Sequence, residues 1–288
     1  MTRFTGIWVP LVTPFRHGQI DMPALQALAR RLHSDVSGMV VCGTTGEAAA
    51  LDEDEQRKVL DTVLRAAPGA NVVMGLAGNN LPAVIARLKQ VQERPIAGVL
   101  VPPPYYIRPS QAGLVDYFHA LADAASVPII VYNIPYRTGV AMEFDTLATL
   151  AEHPRIAAIK DCGGDAALTM RLIAETKLQV LAGEDQQLLS ILALGGSGGI
   201  MASAHLRPDL FAQVVIAMQE GRISEAREMF YRLLPMIRLM FQEPNPAPLK
   251  AALAQLGWMK EELRPPMRAA SSALKERIAM ELAHLSGP

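Results

Sequence analysis

The sequence predicts an α/β fold: a (β/α)8 TIM barrel over residues 1–222 with a small C-terminal helical extension over 223–288. Three observations carry that expectation. Eight short apolar runs recur at intervals of roughly 20 to 30 residues, each followed by a stretch of helical periodicity, the pattern of parallel strands joined by crossover helices. Eight is the number that closes a barrel, and 288 residues hold one barrel of ~250 residues with an appendage. From Pro208 onward the strand-like runs stop and only amphipathic segments follow.

Residues 7–12 read as the first strand, ending at Thr13-Pro14, and 22–32 as the first helix, with Leu25, Leu28 and Leu32 on one face. The second strand is 38–42 (GMVVC), followed by the loop GTTGE at 43–47 and a helix over 52–66 whose early acids suit its N-terminus. Strands at 71–75, 98–101 and 128–132 alternate with helices at 82–92, 111–124 and 144–152. The sixth strand is 156–161 (IAAIKD), then a helix at 166–176, a strand at 179–182, a helix around 190–194 and an eighth strand at 198–201 behind a glycine cluster. Helical segments at 210–220, 224–240, 249–256 and 271–285 complete the chain, two of them separated by the Pro-rich joint EPNPAP at 243–248. A doubly wound open sheet is the rival, but it usually has fewer strands and a glycine fingerprint after the first, which this chain lacks.

Half the residues are hydrophobic and 19% are charged, enough apolar material for a large core. The net charge of -1 and the absence of basic runs imply neither a nucleic-acid nor a membrane surface. Small molecules and copies of the same chain are the expected partners. Two cysteines, Cys42 and Cys162, form no disulfide framework, and Trp8, Pro10 and Pro14 stand where a signal peptide needs an apolar core, so the expected location is cytoplasmic. The six histidines are scattered with no ligand spacing, so no metal is expected.

In such a barrel the chemistry sits just after each strand. Lys160 ends an apolar strand, whereas the other six lysines, Lys250 among them, read as solvated charges in polar or helical contexts. An amine at a strand end, partly desolvated, becomes a nucleophile near neutral pH; the plainer reading is a lysine that snorkels to solvent. Thr44 and Thr45, flanked by Gly43 and Gly46, can converge hydroxyls and backbone N–H groups on a small anion such as a carboxylate. Three of the six tyrosines, Tyr105, Tyr106 and Tyr132, fall at predicted strand ends, where a phenol can pass a proton between a substrate and a hydroxyl such as Thr44; each alone could equally be an edge-of-core residue. Arg137, in the loop after Tyr132, suits a second carboxylate or open solvent. Together these groups are what Schiff-base chemistry on a 2-oxo acid requires, with no cofactor.

The segments GTTGE (43–47), PYYIRPS (104–110), VYNIPYRTG (131–139), IKD (159–161), AGED (182–185) and EPNPAPLK (243–250) resemble, in order and spacing, the dihydrodipicolinate synthase/N-acetylneuraminate lyase family of class I aldolases. The resemblance implies a lyase in which Lys160 forms an imine with pyruvate and Thr45 holds pyruvate's carboxylate. It implies that Tyr132 shuttles protons with Thr44 and Tyr106 as relay partners, and that Tyr106 reaches in from a neighbouring subunit. Gly183 and Met201 would line the pyruvate pocket. YRTG and EPNP most resemble the branch that condenses pyruvate with aspartate semialdehyde in lysine biosynthesis, Arg137 holding the aldehyde's carboxylate, in a homotetramer of dimers. Lyases of sugar-derived or aromatic 2-oxo acids are the alternative, and a catalytically silent binder of 2-oxo acids is a third reading. Ala48, Glu53, Gln56 and Val84 replace the residues of the lysine-feedback site, with Asn80 kept, so weak or absent lysine inhibition is expected.

Overall fold

The computed structural model describes residues 3–285; the outermost positions of the two expected segments, 1–2 and 286–288, lie outside them. Among the described residues ten strands occur: β1 (Gly6–Pro10), β2 (Phe15–Arg16), β3 (Gln19–Ile20), β4 (Gly38–Val41), β5 (Val72–Gly75), β6 (Gly98–Val101), β7 (Ile129–Asn133), β8 (Ile156–Asp161), β9 (Gln179–Ala182) and β10 (Gly198–Ile200). Eight of them close into a barrel in the order β1-β10-β9-β8-β7-β6-β5-β4. These are the eight strands the apolar runs predict. Strands covered on both faces carry continuous apolar runs because neither face meets water, and β5, β6 and β7 are buried at every position.

By internal contacts the chain separates into two units, 71–200 with the first few residues, and 6–70 with 201–288. In the first, the parallel ladder β5 to β10 alternates with helices Leu81–Val91, Gln111–Ala124, Phe144–Ala151, Ala166–Glu175 and Leu188–Ala193. Asn80, Ser110 and Asp165 cap three of these by accepting hydrogen bonds from backbone N–H groups of the first turn. The turn after β7 contains a short helix, Pro135–Thr138, entered through proline and closed by Gly139 at φ 78°.

In the second unit β1 pairs with β4, Trp8 opposite Gly38. Helix Met22–His33 packs on helix Glu53–Ala66, whose Asp52 and Glu55 form a reciprocal capping box. Helices Pro208–Gln219, Ile223–Met240, Ala247–Gln255 and Ser272–Leu285 follow. Sequence periodicity missed the antiparallel hairpin of β2 and β3. Two residues per strand are too few to display alternation, and the turn uses His17 and Gly18, both at positive φ, in place of a stronger Asn-Gly signal. Among the described residues no helix is long and apolar enough to cross a membrane.

His205 ties this unit together from a fully buried position. Its Nδ1 donates to the Ala202 carbonyl at 2.8 Å, which leaves Nε2 to accept the backbone N–H of Val12 at 3.2 Å. A proton on Nε2 would remove that acceptor. Burial, with Arg31 nearby, pushes the imidazole down to about 4, against the Ala202 carbonyl, which favours the proton. The unfolded chain therefore binds the extra proton first, and the stability His205 contributes is whole above pH 6.5 and lost as pH falls towards 4. We expect unfolding free energy, measured by urea titration, to drop by about 3 kcal/mol across this window on account of this residue. His205→Gln should flatten that slope.

Candidate active site

In the 71–200 unit, strand register assembles the first group. Tyr132 on β7 lies directly opposite Lys160 on β8, and Asn133 opposite Asp161. Residues paired across neighbouring parallel strands project to the same face, so the amine and the phenol ring are brought together. The Lys160 ammonium lies 4.3 Å from the centroid of the Tyr132 ring, and both residues are buried, 6% and 7% exposed. The snorkelling alternative for Lys160 is thereby set aside.

Asp161 fixes the strand end on which Lys160 sits. One carboxylate oxygen accepts from Asn133 Nδ2 at 3.1 Å and from the Gly163 N–H at 2.9 Å; the other accepts from Thr169 Oγ1 at 2.8 Å. Asn133 in turn accepts the N–H of Met142. This buried network spends the acidic neighbour of Lys160 on structural donors. Gly183, after β9, donates its N–H to the Asp161 carbonyl at 2.8 Å, and a Cβ there would meet that same oxygen at 2.8 Å. Only glycine lets the two strand ends approach so closely. The Cys162 thiol fills the adjoining space and its pKa is pushed up, chiefly by burial; Cys42 is likewise a buried free thiol, pushed up to about 12.

Arg137 is exposed on the short helix after β7. Its guanidinium lies 5.6 Å from the centroid of the Tyr136 ring, and the Tyr136 hydroxyl donates to Glu184 at 2.8 Å. Partial desolvation of its hydroxyl, with Cys162 and the Glu184 carboxylate nearby, raises the Tyr136 pKa although the residue as a whole is exposed. Tyr105 and Tyr106, expected at a strand end, lie beyond β6 in the loop, and Tyr106 is 89% exposed at a left-handed φ of 73°.

The 6–70 and 201–288 unit holds the second group. The 43–47 loop is turned by hydrogen bonds from the Gly46 and Glu47 N–H groups to the carbonyls of Gly43 and Thr44, both 3.1 Å, and Thr13 Oγ1 donates to the Gly46 carbonyl at 2.7 Å. Thr44 is half-buried and Thr45 buried, and Asn245 Nδ2 donates to Thr45 Oγ1 at 3.0 Å. Met201, after β10, is fully buried and donates its N–H to the Trp8 carbonyl.

One expectation is corrected here. Lys250, read as a solvated helical lysine, is completely buried. Its ammonium pairs with the Glu47 carboxylate, donates to the Glu262 carbonyl at 2.9 Å and stands 4.2 Å over the Phe15 ring. Burial pushes the ammonium down to about 8 although Glu47 and Glu262 pull it up. Arg264, bonded to both Glu55 oxygens at 2.6 Å, lies 4.6 Å from the Phe15 ring centroid. A signal for Lys250 was present: helix Ala247–Gln255 carries one charge in an otherwise apolar run, which is the mark of a paired interior residue.

The sequence profile described as the Dihydrodipicolinate synthetase family matches residues 3–285. The chain belongs to this family. It is 39% identical over 280 residues to the 4-hydroxy-tetrahydrodipicolinate synthase of Thermodesulfovibrio yellowstonii, covering 96% of each protein, and 37% identical to that of Syntrophus aciditrophicus with the same coverage. Among solved structures it is similar to dihydrodipicolinate synthase from Aquifex aeolicus, with a TM-score of 0.95, 32% identity and 98% of each chain covered.

Glu47 and Lys250 give a double-variant test within this family member. Glu47→Leu leaves a buried ammonium unpaired and is expected to cost about 3–5 kcal/mol in chemical denaturation. Adding Lys250→Met should restore most of that loss, since an apolar pair fills the same space without a stranded charge.

Proposed function

We propose that this chain is a class I pyruvate-dependent aldolase, a 4-hydroxy-tetrahydrodipicolinate synthase that joins pyruvate to aspartate semialdehyde in lysine biosynthesis. The observation that carries the reading is Lys160, buried at the end of β8 against Tyr132, with its neighbouring acid occupied by other donors. Family membership supports the choice of substrates, since the relatives at 37–39% identity bear that name.

In this mechanism the neutral Lys160 amine attacks the C2 keto carbon of pyruvate, and the carbinolamine loses water to give a protonated imine. Tyr132 carries protons to and from that carbon, with Thr44 and Tyr106 as its relay partners. The imine draws electrons from the C3 methyl, which yields a proton to form the enamine. The enamine carbon then attacks the aldehyde carbon of aspartate semialdehyde, and the new alkoxide takes up a proton. The amino group of the condensed chain displaces the lysine from the imine carbon, which closes the ring and frees Lys160.

Thr45 and the N–H groups of its loop bind pyruvate's carboxylate, while Gly183 and Met201 line the space around it. Arg137 takes the carboxylate of the aldehyde substrate. Its exposure suits a residue at the mouth of a site, and the Tyr136 ring offers it a platform. Tyr106 completes the relay of a neighbouring subunit in a homotetramer of dimers; its exposure in the isolated chain supports that assignment. We place the enzyme in the cytoplasm and expect weak or absent inhibition by lysine.

Borohydride reduction in the presence of pyruvate should attach a stable adduct at Lys160, detected by peptide mass, and none in Lys160→Ala. Absence of an adduct in the unaltered protein would overturn the mechanism. Arg137→Ala should raise the KM for aspartate semialdehyde by roughly 10- to 100-fold, the worth of a hydrogen-bonded charge pair, with the pyruvate KM little changed. Equal losses on both substrates would remove Arg137 from its role.

A further inference from the structure

Asn245 lies outside the 1–222 segment expected to carry the chemistry, yet its carboxamide reaches across 200 residues of sequence to Thr45. A threonine hydroxyl has one proton to give and two lone pairs to receive. The Asn245 N–H occupies one lone pair at 3.0 Å, so it pins Oγ1 and leaves the hydroxyl proton for another acceptor. The carboxamide oxygen, Oδ1, is buried without a hydrogen-bond partner. An orphaned buried acceptor weakens a fold, and a smaller residue would avoid it. The side chain is therefore held for what its N–H does to Thr45.

The segment that bears Asn245 is itself anchored on both sides. Glu243, two residues before, accepts hydrogen bonds from the backbone N–H and hydroxyl of Ser271. Lys250, five residues after, is locked to Glu47, which lies two residues beyond Thr45 in the same loop. Segment and loop are thus joined at two points, Asn245 to Thr45 and Lys250 to Glu47.

We infer that Asn245 is a positioning residue for the carboxylate of the 2-oxo acid, acting by committing the Thr45 hydroxyl to donate towards it. The inference rests on the reading of Thr45 as the carboxylate site. It is tested on full-length Asn245→Ala, Asn245→Asp, Thr45→Val and the Asn245→Ala/Thr45→Val pair. The readouts are KM for pyruvate and for aspartate semialdehyde, kcat, and thermal stability.

Asn245→Ala should raise the pyruvate KM roughly tenfold, the loss of one oriented bond to a charged group, and leave the aldehyde KM unchanged. Asn245→Asp, nearly the same shape, should raise it further, because a carboxylate accepts the Thr45 proton and repels the substrate. In the Thr45→Val background Asn245→Ala should add nothing. A pyruvate KM within twofold of the parent in either Asn245 single variant, or additive losses in the pair, would overturn the inference, as would losses that fall equally on both substrates. A parent enzyme that forms no borohydride adduct with pyruvate would instead refute the function on which the inference stands, and the inference with it.

Discussion

The parallel register of β7 on β8 is the constraint on which the candidate site depends. Sliding one strand by a single residue would turn Lys160 to the opposite face and put Asp161 in its place. The register is held from both ends of the contact. Below, apolar residues buried on two faces fix the pairing; above, Asp161 binds Asn133, its own cross-strand neighbour. The irregularity between Ile129 and Ile130 lies at the start of β7, away from the end that carries Tyr132.

Two lysines are buried among the described residues, and their surroundings differ. Lys250 is saturated by a carboxylate, a carbonyl and an aromatic face, so its charge is spent on cohesion. Beside Lys160 the obvious counter-ion is occupied, its oxygens filled by Asn133, Gly163 and Thr169, and the ammonium meets the Tyr132 ring. A reactive amine must be able to lose its proton and change its bonding. A saturated one cannot do so without unbalancing its partners.

The barrel strands were legible in the sequence because a strand covered on both faces has no freedom to carry polar residues. Length and apolar content alone identified Val72–Gly75 and Gly98–Val101. Lys160 was legible for the same reason, as a lysine that with Asp161 ends an otherwise apolar strand. Lys250 escaped because helical spacing tells which residues share a face but not which face is inward when nearly all are small and apolar. The hairpin at Phe15–Ile20 and the turn Pro135–Thr138 are too short for any period to register. Asn245 and Glu47 acquire their meaning only from partners some 200 residues away, a proximity no local pattern encodes.

That separation sets an order of events during synthesis. The 43–47 loop leaves the ribosome early, but Asn245 follows Thr45 by 200 residues, a delay on the order of 10 to 40 s at ordinary bacterial elongation rates. Through that interval Glu47 lacks the ammonium that will pair with it, and Thr45 lacks the carboxamide that will donate to it. Tyr132 and Lys160 are both synthesised well before Asn245, so every residue of the β7–β8 register precedes the partner of the 43–47 loop. The two contacts that fix this loop therefore form late, with the C-terminal helices.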